Sequence, residues 1–223
     1  MGAKRPASVI RYSVIAVAAA LVLAAVCMAF SAPRKSSDYS PADYEVTSLD
    51  MRVAVGKDHT YEVEEFISVD IPEDLQQIEF AVPAGSYKMK DLTVENVKTR
   101  VFRRDYGKCV VISDPDLLTA GHHRYKLRFR LLEKADQNQG KDVFSFDILP
   151  QGWKQPVYKV HALTWFPYGF PLDDIHCFSD GDPDVRLTVK IEKQSRSYTL
   201  GGRRIPADYD LRLEADLPDG YWE

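Results

Sequence analysis

The chain has 223 residues, 45% of them hydrophobic, and a net charge of −4 from 29 basic and 33 acidic residues. Without Lys4, Arg5 and Arg11, which precede the first apolar run, 26 basic residues remain against 33 acidic ones, a net charge of −7. Nucleic acid is therefore disfavoured as a partner, because no basic surplus is available to replace the counterions of its phosphates.

An uncharged, mostly apolar run occupies residues 13–32, with basic residues on both sides. A secretory signal has an apolar part of about 7–15 residues behind a basic flank, whereas a membrane-spanning helix needs about 20 residues. The run lies between these lengths. Residues 1–32 are thus either a cleaved signal peptide or an uncleaved anchor helix that makes the membrane a partner through residues 13–32. Both alternatives predict an extracytoplasmic location for the rest of the chain, membrane-anchored or secreted.

Residues 33–43 form a polar segment with Pro and Ser, typical of a linker, and residues 44–223 are long enough for one domain with a hydrophobic core. Alternation of apolar and polar residues with period two is the dominant pattern of this domain. It covers Leu49–Val55, Tyr61–Ile71, Tyr125–Leu131, Val185–Ile191 and Tyr209–Leu213. The first two runs flank a Gly56 turn and predict a hairpin. With no sustained helical period after residue 33, we predict an all-β fold, an antiparallel, immunoglobulin-like β-sandwich after one N-terminal hydrophobic helix.

Cys109 and Cys177 are the two cysteines that follow the apolar run. An exported domain meets an oxidising compartment, where two thiols can pair. The sequence does not establish that their Cα atoms come within bonding range, so a disulfide and two separate core thiols both stay open. His176 is adjacent to Cys177 and would face the other side of a strand, which disfavours a Cys–His nucleophile.

The densest acidic cluster contains Asp180, Asp182 and Asp184. Alternating carboxylates on a loop can offer several oxygens to Ca²⁺. However, Pro183 stiffens the loop, and no bidentate Glu follows at the distance found in EF-hands. We therefore expect a solvated turn and no cofactor, with a calcium site at these three residues as the alternative.

Trp153, Trp165, Tyr168 and Phe170 form an aromatic group in which Pro and Gly residues are interspersed. Aromatic faces on a β-scaffold can bind sugars and peptides, and the Pro and Gly residues favour an irregular loop. These four side chains are candidate ligand contacts; the alternative is packing in the core and at strand ends.

The sequence contains no G-x-S-x-G elbow, no H-E-x-x-H and no phosphate-cradling Gly loop. We therefore identify no catalytic residue, and an enzyme is the less favoured class. The leading hypothesis is an exported cell-envelope module that contacts a membrane protein or an envelope glycan. The alternatives are an envelope hydrolase that uses the acidic cluster and a structural subunit of a split membrane complex.

Three stretches together resemble a known family: residues 61–69 (YEVEEFISV), 112–129 (ISDPDLLTAGHHRYKLRF) and 143–157 (VFSFDILPQGWKQPV). They are similar to the N-terminal extracytoplasmic domain of the bacterial predicted membrane proteins called domain of unknown function 2207. The resemblance covers about residues 44–222. It departs from the family pattern at Ser113, where Gly is usual, and at Trp153, which directly follows Gly152.

Members of this family usually continue after an L-P-x-G-Y motif into membrane helices and a cytoplasmic tail. Here residues 217–223 end the chain, so residues 13–32 would be its attachment to the membrane and residues 33–43 its tether. This expectation favours an uncleaved anchor over a cleaved signal. The resemblance implies no activity and no catalytic residues.

Overall fold

The structure, a computed structural model, describes residues 43–83, 87–95, 97, 99–104, 107–132, 142–150 and 152–222. The strands, in chain order, are β1 (Glu45–Val55), β2 (Thr60–Ile71), β3 (Ile78–Val82), β4 (Lys88–Val94), β5 (Thr99–Arg104), β6 (Gly107–Ile112), β7 (Gly121–Leu132), β8 (Asp142–Leu149), β9 (Val157–Trp165), β10 (His176–Ser179), β11 (Arg186–Glu192), β12 (Ser197–Ile205) and β13 (Leu211–Leu217). Two short 3₁₀ turns, Pro115–Leu117 and Leu172–Asp174, are the helical elements of this part of the chain.

The all-β class predicted from the sequence is confirmed for the described residues. Each of the five alternating runs lies within or overlaps a strand, and β1 and β2 form the predicted antiparallel hairpin. The predicted N-terminal hydrophobic helix, whether signal or anchor, lies outside the described residues. Within the part of the chain that is described, no helix has the length and apolar composition needed to cross a membrane.

The strands form three sheets. The largest has seven strands in the order β11-β12-β9-β1-β2-β7-β4, and the other two have the orders β10-β13-β8 and β3-β6-β5. Neighbouring strands are antiparallel except β1 and β9, which are parallel. The central strand β1 therefore joins the N-terminal hairpin to a strand from the C-terminal half of the chain.

The inner face of the seven-stranded sheet contacts both smaller sheets. The ring of Tyr61 on β2 lies 5.7 Å from that of Phe146 on β8, and the ring of Tyr125 on β7 lies 5.6 Å from that of Phe80 on β3. All four side chains are buried. Burial of these large apolar surfaces supplies the main stabilisation of the domain. An immunoglobulin-like arrangement of the sheets remains a prediction.

The described C-terminal residues close one end of this core. The Trp222 ring stacks on His59 with centroids 4.0 Å apart, and Tyr221 meets Phe170 edge-to-face at 5.7 Å. His59 follows the β1 strand at the turn of the hairpin and has a positive φ of 54°. Its Nε2 lies 2.9 Å from the hydroxyl of Tyr61. The C-terminal segment is therefore part of the packed domain.

Candidate binding site

The outer face of the seven-stranded sheet contains a cleft of about 400 Å³. Its residues are set by strand register, because side chains two apart on a strand share one face. One cross-strand row runs Trp165, Ala54, Glu62, Arg130, and the next row runs Leu163, Arg52, Glu64, Arg128. In the first row, Ala54 is the small residue between two large ones, so its position forms the floor of the cleft. The described lining residues are Arg52, Ala54, Glu62, Val63, Glu64, Asp91, Arg128, Phe129, Arg130 and Trp165.

Ion pairs hold the charged side chains of the cleft in place. The Oε1 atom of Glu64 lies 2.8 Å from Nε of Arg128 and 2.9 Å from Nζ of Lys126. Hydrogen bonds from Lys126 and then Arg128 lower the pKa of the Glu64 carboxyl. On the far side, Nε of Arg130 donates to Oδ2 of Asp91 at 2.8 Å. Exposed pairs of this kind add little stability, but they fix guanidinium planes and carboxylates in one geometry.

Trp165 supplies the aromatic surface of the cleft. It is the last residue of β9 and is 38% exposed. Of the described residues that line the cleft, none is His, Cys or Ser. The titratable acidic groups among the described lining residues are the carboxyls of Glu62, Glu64 and Asp91. The arrangement presents one flat apolar ring, hydrogen-bond donors and carboxylate acceptors to the same small volume.

The other aromatic candidates lie elsewhere. Trp153 and Phe170 are buried, and Phe170 packs on Phe144 and Phe166 with ring centroids 5.4 and 4.3 Å apart. Tyr168 is 83% exposed but does not line the cleft. Of the four aromatic residues singled out from sequence, Trp165 alone lines this cleft.

The acidic loop has the contacts of a turn. The Asp180 carboxylate accepts from the backbone N–H of Asp210 at 2.7 Å, and the Asp182 carboxylate accepts from the N–H of Asp184 at 2.9 Å. Among the described residues, no group of three or more His, Cys, Asp and Glu side chains is close enough to hold a metal ion. The three carboxylates are not brought together as a calcium cage.

The candidate disulfide is not formed, and both Cys109 and Cys177 are free. Cys109 lies on β6 and Cys177 on β10, in different sheets. Burial raises the pKa of the Cys109 thiol to about 11 and also raises that of Cys177. Thiols with raised pKa values are weak nucleophiles at neutral pH, which disfavours a thiol enzyme.

Two carboxyl groups with raised pKa values were missed by the sequence reasoning. Burial raises the pKa of Glu65 on β2 to about 8, and burial together with the nearby charge of Asp210 raises that of Asp147 on β8 to about 6. Glu65 could have been found, because it occupies an inward position between Val63 and Ile67 and so interrupts an apolar face. Asp147 gave no such signal, since it occupies an outward position where a carboxylate is expected.

Comparison with known proteins gives one family. The family model described as the N-terminal domain of a predicted membrane protein, DUF2207, matches residues 45–215. Among curated proteins, none matches the chain.

Similar solved structures include the M1 zinc metallopeptidase from Deinococcus radiodurans, with 14% identity and a TM-score of 0.44 over 77% of this chain. They also include native leukotriene A4 hydrolase from Saccharomyces cerevisiae, with 10% identity and a TM-score of 0.49 over 86% of this chain. The chain spans 42% and 33% of the lengths of those two proteins.

Proposed function

The chain belongs to the family of predicted membrane proteins that share the DUF2207 N-terminal domain, and we propose that it is a non-catalytic contact module tethered in the bacterial cell envelope. The observation that carries this proposal is the cleft over Ala54, with Trp165 on one side and fixed charged groups on the others. Concave sites that combine an aromatic face with a few oriented polar groups are the usual places for small ligands or polymer segments.

The ligand proposed for the cleft is a glycan. A sugar ring presents an apolar face of C–H groups, which packs on an exposed indole such as Trp165. Its hydroxyl edge needs both donors and acceptors, which Arg130 and Asp91 offer within one ion pair. A cleft volume of about 400 Å³ accommodates one or two such rings.

The test is titration of the full chain with soluble fragments of the host's envelope polysaccharides, followed by calorimetry. The Trp165→Ala variant should lower the affinity at least about tenfold, the loss expected when an aromatic contact is removed. Tyr168→Ala is the matched control, because it removes an aromatic ring that lies outside the cleft. Equal affinities for Trp165→Ala and the unchanged chain would overturn the glycan site.

A protein contact is the second candidate, and the edge strand β5 favours it. This strand lies at one edge of the β3-β6-β5 sheet, and its Val101 and Phe102 side chains are both exposed. An edge strand with exposed apolar residues can add a strand from a partner. A Val101→Lys and Phe102→Lys variant should lose a membrane-protein partner in co-purification from detergent while it retains glycan binding. Retention of the partner by this variant would exclude β5.

The extracytoplasmic location of the domain and its sandwich arrangement belong to the same proposal. The basic flank of residues 13–32 supports export of the residues that follow. The contacts of the seven-stranded sheet with both smaller sheets support two packed layers. The intact mass of the protein from its native host distinguishes an uncleaved anchor from a mature chain that lacks residues 1–32.

A further inference from the structure

Three cations stand side by side on the outer face of the seven-stranded sheet. Lys159 on β9 is opposite Arg203 on β12, and Arg203 is opposite Arg186 on β11. All three residues are exposed. Neighbouring strands lie about 4.8 Å apart, and like charges directly opposite each other destabilise a sheet. Such a row destabilises the sheet unless an anionic group lies against it.

The described part of the chain supplies no acid for this row. None of the three side chains takes part in an ion pair. Two acids at this end of the sheet are engaged elsewhere, Asp70 with His122 at 2.7 Å and Asp208 with Lys154 at 2.7 Å. The exposed Glu45 at the start of β1 forms no ion pair with the row. This differs from the cleft, where Glu64 forms ion pairs with Lys126 and Arg128.

An open apolar hollow lies at the same end of the sheet, lined in part by Tyr158 and Arg204, the chain neighbours of Lys159 and Arg203. Its volume is about 620 Å³, and most of its lining is apolar or aromatic. The lining residues are Tyr44, Glu45, Val46, Pro156, Val157, Tyr158, Arg204, Ile205 and Pro206. Tyr158 is 61% exposed at its mouth. Exposed Tyr next to Arg and Lys is the composition of surfaces that meet the interfacial region of a bilayer.

The chain enters the domain at this same end of the sheet. Val46 near the start of β1 is paired with Val157, and Val157 is paired with Ile205. Residues 33–43, which precede this point, span at most about 40 Å when fully extended. A segment of this length sets an upper limit on the separation between this end of the sheet and the apolar residues 13–32.

We propose that this end of the sheet docks on an anionic membrane surface. In this arrangement Lys159, Arg186 and Arg203 meet lipid phosphate groups, and Tyr158 lies at the headgroup level. The inference rests on the membrane tether of the proposed function but not on the glycan cleft. Docking would add a second, electrostatic attachment to that of the tether. The cleft around Ala54 and Trp165, which lies further along the strands, would stay exposed to solvent.

The test compares the full chain in nanodiscs of phosphatidylcholine alone with nanodiscs that contain about one third phosphatidylglycerol, the probe for an anionic surface. Hydrogen–deuterium exchange is followed in peptides that cover residues 154–159 and 203–209. We expect exchange to slow several-fold in the anionic discs, and about 0.5 M salt should abolish the effect by screening. Equal exchange in both lipids would overturn the proposal.

The matched variants carry Lys159→Gln, Arg186→Gln and Arg203→Gln at the row, or Lys57→Gln, Lys88→Gln and Lys90→Gln at the other end of the sheet. Each cation near an anionic surface contributes roughly a factor of five, so loss of the row should lower the docked-to-free ratio about a hundredfold. The second triple variant should dock normally; equal losses in both variants would refute a specific face.

Two further measurements keep the result interpretable. The single Arg203→Gln variant replaces the triple one if the latter does not fold. Inorganic phosphate added to the detergent-solubilised chain separates a free-anion site from a membrane surface. If phosphate alone gives the same protection in detergent, membrane docking is refuted. Slower exchange at the row in anionic discs without glycan binding would support membrane docking and refute the glycan site. Glycan binding with equal exchange in both lipids would do the opposite.

Discussion

Replacement of Glu65 by Gln should remove a large pH-dependent part of the unfolding free energy. Glu65 is 1% exposed, and burial raises its pKa to about 8 from an ordinary value of 4.5. Because the folded pKa is the higher one, the folded state retains the proton between these values while the unfolded state loses it. The stabilising effect is therefore complete below pH 4.5 and is lost as the pH rises towards 8. At roughly 1.4 kcal/mol per pH unit, the free energy of unfolding falls by about 3 kcal/mol between pH 5 and pH 7.

Urea denaturation followed by Trp fluorescence measures this effect at a series of pH values from 5 to 8. The quantity to compare is the difference in unfolding free energy between Glu65→Gln and the unchanged chain, because a buried amide can add a constant cost of about 1–3 kcal/mol. This difference should change by about 3 kcal/mol in favour of the variant from pH 5 to pH 7. Slopes of the denaturation curves should stay equal, since the buried area is unchanged.

Glu64→Gln is the matched control on the adjacent residue of the same strand. Hydrogen bonds from Lys126 and Arg128 lower the pKa of Glu64, so its contribution is lost only as the pH falls below the ordinary value of 4.5. This control should give a constant difference across the same pH range. If Glu65→Gln also gives a constant difference, then Glu65 is ionised in the folded protein over this pH range. That result would refute a raised pKa for Glu65.

Three further predictions concern stability and thiol chemistry. Asp147→Asn should remove a fall in stability between about pH 4 and pH 6, of at most about 3 kcal/mol, because the folded pKa of Asp147 is raised to about 6; denaturation curves at several pH values measure it, and an unchanged pH slope would contradict it. Trp222→Ala should lower the unfolding free energy by about 2 kcal/mol through loss of the stack on His59, whereas an unchanged melting temperature would show that the C-terminal segment does not contribute to the packed domain. Cys109 should stay unlabelled by a thiol reagent in the folded chain and react fully after denaturation, since it is buried and its thiol pKa is raised to about 11; fast labelling of the native chain would refute its burial.

Local patterns in the sequence predicted the strands but not how they combine. The hairpin of β1 and β2 was predicted from two local signals, the alternation of apolar and polar residues and the turn at Gly56. Both signals involve residues that are close in sequence. The parallel pairing of β1 with β9 has no such local signal. It depends on how two distant strands pack, and alternation defines the face of a strand without naming its partner.

The candidate site was predictable to the same limited degree. Trp165 was singled out, but so were Trp153 and Phe170, which the structure buries. The partners of Trp165 in the cleft, Ala54 and Arg130, come from other strands and are brought to it by register. The acidic loop shows the converse case, because alternating Asp residues satisfy backbone N–H groups as readily as a metal ion.

The parallel pair of β1 and β9 has a consequence for how the chain is made. Until residues 157–165 have emerged, the β1–β2 hairpin has one unpaired edge rich in apolar residues. Pairings between residues so distant in sequence form slowly, and an exposed apolar edge is a site for aggregation. Translation products that stop before β9 should therefore associate rather than fold. The central strand of the finished sheet is the most vulnerable strand during biogenesis.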